Sequence, residues 1–188
     1  MTRYSKISIT LHWFTALVIL ACWLLSEGGP RVRTEPPVLH MALGLSVLVS
    51  VGARLLARLV QGTPAPVPSS RPLEAVAERL GHLALYALMS ALPLSGWYAA
   101  SRLGLPLSFG PLTLPQMTSP VTGPPGIIAE LHENGGTVLI WLAGLHGLIA
   151  LWHQFVRRDG TLSRMIPMQN QTLELVQSKA TGGRESNE

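Results

Sequence analysis

Residues 131–153 read LHENGGTVLIWLAGLHGLIALWH, and this stretch decides the fold. Between Glu133 and His153 it holds no charged residue, and about 20 mostly apolar residues are what a helix needs to cross lipid. Three histidines punctuate it. His132 and His146 stand 14 residues apart, close to four helical turns, so both project from nearly one face, about 21 Å apart along the axis. His153 follows on almost the same face, about 10 Å further on. Ionisable side chains at such depth are rare and face a bundle interior or a polar cavity.

Three more stretches have the same character. The spans are expected at about residues 7–25, 38–60, 80–100 and 137–156. The first three are closed by Ser26-Glu27-Gly28-Gly29-Pro30, by the proline-rich run from Pro64 to Pro72, and by the segment from Gly104 to Gly126. Gly, Pro and Ser clusters of this kind end helices. The expected fold is all-α: an integral membrane four-helix bundle over residues 1–167, with a polar cytoplasmic tail at 168–188. Composition agrees. Only 13% of the 188 residues are charged and the mean hydropathy is +0.33, against about 25% charged in soluble domains. The N-terminus resembles a signal peptide, but no small-residue cleavage pattern ends its apolar run, so it is read as a retained first helix.

Charge sets the direction of insertion. Arg3 and Lys6 precede span one; Arg54, Arg58, Arg71 and Arg79 surround the second connection; Arg157, Arg158, Arg164, Lys179 and Arg184 follow span four. The first and third connections hold only Arg31, Arg33 and Arg102. Both termini and the second connection are therefore expected in the cytoplasm. The net charge of +4 follows from basic residues at span ends, where they meet lipid headgroups, and does not point to nucleic acid. Arg54 and Arg58 read as snorkelling anchors, with contact to a haem propionate as the lesser alternative. Cys22 is the one cysteine, which excludes an intrachain disulfide and a thiolate metal cluster.

All six histidines, His12, His40, His82, His132, His146 and His153, lie in or beside a span. For one such residue an interhelical hydrogen bond is the ordinary explanation; the set carries the argument. A six-coordinate haem needs two axial ligands from facing helices at one depth. Depth pairs His40 with His132 on the periplasmic side and His12 with His146 toward the cytoplasm, and it also allows His12 with His153, or His82 with His146. Two b-type haems stacked this way would carry electrons across the bilayer, since neutral imidazole suits iron and bis-histidine ligation leaves no open position. His82 and His153 are left near the cytoplasmic interface, suited either to a quinone and its protons or to plain packing. Gly44, Gly135, Gly136, Gly144 and Gly147 neighbour these histidines and would let a flat macrocycle approach, or serve helix packing. Pro93 is expected to bend span three.

From Tyr4 to about Pro167 the chain resembles the bacterial cytochrome b561 family of short di-haem membrane cytochromes. The resemblance is carried by Tyr4-Ser5 with Ile7-Ser8-Ile9-Thr10-Leu11-His12-Trp13, Leu39-His40-Met41-Ala42-Leu43-Gly44, Leu80-Gly81-His82-Leu83 with Ala91-Leu92-Pro93, and Leu131-His132-Glu133. Gly144-Leu145-His146, His153, Asp159-Gly160-Thr161-Leu162 and Arg164-Met165-Ile166-Pro167 complete it. It implies the ligand pairs His12/His146 and His40/His132, no catalytic residue beyond them, and location in the bacterial inner membrane. It also implies, for some members, superoxide oxidation at the periplasmic face and ubiquinone reduction near the cytoplasmic face, with His153, and with it His82, as the quinone-site candidates. Arg31 and Arg33 lie near His40 in sequence and would steer superoxide there, offset by Glu27 and Glu35. Two other classes compete. An electron-transfer subunit would relay electrons from a partner dehydrogenase or hydrogenase to quinone, and would co-purify with that redox protein. A transporter using histidines as an ion path would show no haem absorbance.

Overall fold

Serine starts the first helix. In the computed structural model, which describes residues 4–26, 37–62, 72–109, 111–123 and 126–166, the Ser5 hydroxyl accepts the Ser8 amide at 3.1 Å, satisfying one of the unpaired donors every helix start presents. Helix α1 then runs Lys6–Leu25, α2 Val38–Gln61, α3 Pro72–Arg102 and α4 Ile127–Trp152. All four are long and apolar enough to cross a membrane. Gly62, at φ +71°, ends α2 in a conformation that costs a glycine little.

Helices and spans differ in extent. α3 begins at Pro72, well before residue 80, and α4 at Ile127, well before residue 137. Hydropathy reports only the lipid-crossing part, whereas the opening turns carry Glu74, Glu78 and Arg79 in α3 and Glu130 and Glu133 in α4. Pro72 suits a first helical position because its missing N–H would be unpaired there anyway. The third connection, Gly- and Pro-rich in sequence, contains a hairpin of β1 (Leu107–Phe109) and β2 (Leu112–Leu114), with Leu107 opposite Leu114. Strands of three residues are too short to leave a readable alternation.

The helices pack α1 on α2, α2 on α3 and α3 on α4, with a lighter α1–α4 contact. Their core is Val18, Val47, Val51, Leu85, Met89 and Leu139. Thr15 and Ser50, both buried, share a hydroxyl–hydroxyl hydrogen bond between α1 and α2. Gly135 lets α4 close on α3, since a Cβ there would meet Leu92 Cδ2 at 2.7 Å. Large apolar side chains such as Val49, Leu59 and Trp141 point outward, a contiguous apolar exterior that lipid, not water, accommodates. Two tryptophans tie helix ends to neighbouring segments: Trp13 Nε1 donates to the Met165 carbonyl at 2.7 Å and Trp97 Nε1 to the Pro115 carbonyl at 3.0 Å. The polar tail at 168–188, with Arg31, Arg33 and Arg71, lies outside the described residues.

Candidate functional site

At the end of the bundle where α2 begins, His40 and His132 face each other with ring centres 6.1 Å apart. Each has its Nδ1 committed. His40 Nδ1 donates to the Cys22 carbonyl on α1 at 3.2 Å. His132 Nδ1 donates to the Leu92 carbonyl on α3 at 2.9 Å, with Ser95 Oγ also at 3.2 Å. A proton held on Nδ1 puts the ring's lone pair on Nε2, which is how metal-bound histidines are oriented by their outer partners. Two imidazoles on opposite sides of one metal, with bonds of about 2.0–2.1 Å each, place their ring centres about 6 Å apart. The donor set therefore fits a haem.

The space fits as well. A mostly apolar cavity of about 720 Å³ opens between these rings, lined among others by Gly44, Met89, Pro93, Gly96 and Gly136. That is within the usual range of about 300–1,000 Å³ for a bound small molecule. Gly96 has a part that the sequence does not signal: a Cβ there would lie 2.7 Å from His132 Cε1, so only glycine lets the ring sit against α3. A small residue one turn after Leu92, facing a histidine across two helices, leaves no signal in hydropathy. Of the glycines named from sequence, Gly44 and Gly136 line the cavity, Gly135 serves packing, and Gly144 and Gly147 are exposed with open space before them.

The second pair, His12 of α1 and His146 of α4, lies at the opposite end with ring centres 6.3 Å apart. His82 of α3 approaches His146 to 5.3 Å, closer than two imidazoles on opposite sides of one metal stand. Arg54 corrects its expected role. Arg58 is exposed, as an anchor should be. Arg54 instead turns inward, half-buried, with Nη2 at 3.3 Å from His12 Nδ1 and its guanidinium 5.2 Å over the Tyr86 ring. It is a cation inside the second site. Among the described residues no three His, Cys, Asp or Glu converge as a bare-ion site would need.

His153 stands apart, in a π-helical turn (His153–Arg157) that closes α4. Its Nδ1 bonds Asp159 Oδ2 at 2.5 Å and its ring meets Trp152 edge-on at 5.2 Å. Asp159 is a second residue whose part was not legible, since only the wide turn brings it back to the helix.

A family model described as prokaryotic cytochrome b561 matches residues 3–168. Cytochrome b561 homolog 2 of Escherichia coli is 31% identical over 87% of this chain and 91% of its own. The probable superoxide oxidase CybB of Yersinia pestis is 30% identical over 88% and 96%. Cytochrome b562 of Cereibacter sphaeroides is 30% identical over 87% and 94%.

Proposed function

The chain belongs to the prokaryotic cytochrome b561 family, and from that premise we propose that it oxidises superoxide on one side of the bacterial inner membrane and reduces ubiquinone near the other. The observation that carries this is the two imidazole pairs, 6.1 and 6.3 Å between ring centres, at opposite ends of one bundle. His40 and His132 would hold one b-type haem, and His12 and His146 a second. Bound there, the haems supply one-electron chemistry and a conducting path through hydrocarbon.

The protein does the rest. Cys22 and Leu92 carbonyls hold the first pair's tautomers, and the lining of that site is mostly apolar. Charge asymmetry supports both termini in the cytoplasm, and with them the His40 pair toward the periplasm. Arg31 and Arg33, in the periplasmic connection, would draw superoxide to it. His153, with His82, would serve quinone at the cytoplasmic end. The superoxide assignment is supported by the Yersinia pestis relative, a probable superoxide oxidase. The balance is two superoxide, one ubiquinone and two protons giving two O₂ and one ubiquinol.

Purified haem-loaded protein should be reduced by enzymatically generated superoxide and reoxidised by ubiquinone, with superoxide vanishing faster than it dismutates unaided. Superoxide decay unchanged by the protein, with quinone present, would remove this activity and leave electron relay from a partner protein.

A further inference from the structure

We propose that Asp159 is the positioning residue of the quinone site: it holds the Nδ1 proton of His153, so that Nε2 is the atom that exchanges protons with quinone. This rests on the reading of His153 as the quinone-side histidine. The turn that makes the contact is unusual. Arg158 N–H closes it onto the His153 carbonyl, and among the described non-glycine residues Arg158 is alone in adopting a positive φ, at 55°. That conformation costs about 1 kcal/mol or more and persists only where neighbouring contacts impose it.

Those contacts are present. The Thr161 amide and hydroxyl donate to Asp159 Oδ1 at 3.0 and 2.6 Å, which leaves Oδ2 for His153 Nδ1 at 2.5 Å. Both oxygens are thus engaged, which resists rotation of the carboxylate. Burial disfavours its charge, but the hydrogen bonds from Thr161 and His153 outweigh that and bring its pKa down to about 2. It is an anion at any working pH. The frame is clamped from two sides. Arg157 pairs with Glu74 of α3 at 2.6 Å and lies over the Trp152 ring at 5.3 Å. The following 3₁₀ turn, Leu162–Met165, is tied to α1 through Trp13. The His153 side chain keeps 24% of its surface exposed, enough for exchange with water.

The chemistry follows from the fixed nitrogen. An anionic acceptor keeps the Nδ1 proton in place whether the ring is neutral or charged, which confines proton traffic to Nε2. Reducing ubiquinone to ubiquinol takes two electrons and two protons. The electrons come from the reduced cytochrome; His153 passes one proton from Nε2 to a carbonyl oxygen and recovers it from bulk water, and water supplies the second oxygen's proton.

The test mixes anaerobic, dithionite-reduced holoprotein with a short-chain ubiquinone and follows haem reoxidation in wild type and in His153→Ala, Asp159→Asn, Asp159→Glu and Thr161→Val. Asparagine keeps an acceptor oxygen and loses the charge. It should lower the maximal rate about tenfold or more with KM little changed, glutamate should restore part of it, and haem spectra should match wild type. If Asp159→Asn loses its haems, Thr161→Val carries the same test with a smaller loss. In histidine-labelled protein, a far-downfield Nδ1 proton signal missing in His153→Ala should also be missing in Asp159→Asn. Wild-type reoxidation in His153→Ala would overturn the quinone-site reading and this inference with it. Slow His153→Ala beside fast Asp159→Asn, or a change in KM alone, would overturn the inference by itself.

Discussion

One ring on α4 is held by three neighbours on α3: the Leu92 carbonyl, the Ser95 hydroxyl and the bare backbone of Gly96. The first two fix the ring's direction; the third gives it room. Gly96→Val should push His132 off its position and cost the protein the haem of that pair while sparing the other, read as haem content per chain. Ser95→Ala removes one hydrogen bond worth about 0.5–1.5 kcal/mol, so haem content should hold and only that haem's midpoint potential should move. At this scale the sequence was half informative. Spacing and depth put four histidines forward as two candidate pairs but left His82 and His153 as competitors. Ring distances were needed to favour the pairs at 6.1 and 6.3 Å over the His82–His146 approach at 5.3 Å. Backbone carbonyls such as Cys22 and Leu92 carry no side-chain signal, so no sequence pattern could have nominated them.

Between helices, the buried Thr15–Ser50 contact is the polar joint of α1 and α2. Thr15→Val or Ser50→Ala alone strands a hydroxyl or removes its partner, which should cost about 0.5–2 kcal/mol. The double variant should cost less than the sum, measured by thermal unfolding in detergent; strict additivity would mean the joint contributes nothing. The turn after α4 makes a different prediction. Asp159 is depressed to about 2 by its hydrogen bonds despite burial, so its contribution is complete above the ordinary carboxylate range near 3.9 and disappears as pH falls toward 2. The Thr161 amide resonance should titrate with a midpoint near 2, and a midpoint near 4 would mean the Asp159–Thr161 bonds do not form. Apolar windows located all four helices, because lipid demands uninterrupted apolar runs. They missed the polar opening turns of α3 and α4, the hairpin at 107–114 and the π turn, which depend on contacts between segments and not on local hydropathy.

The whole molecule is a bundle whose exterior is apolar and whose interior holds histidines at two levels. That apolar exterior was legible in the sequence: few charges, and those gathered at the ends of apolar runs. Arg54 is the exception, a cation drawn inside beside His12 and Tyr86, and nothing in its spacing from Arg58 distinguished it. Reporter fusions should place both termini and the 63–71 connection in the cytoplasm, and the 103–126 connection outside; an inverted pattern would reverse the proposed direction of electron flow. The central claim is that each chain holds two b-type haems, one per histidine pair, and the most direct measurement is haem per chain from dithionite-reduced minus oxidised spectra. Two are expected in the wild type and one in each of His132→Ala and His12→Ala. A single haem in the wild type, or two haems surviving either substitution, would contradict it.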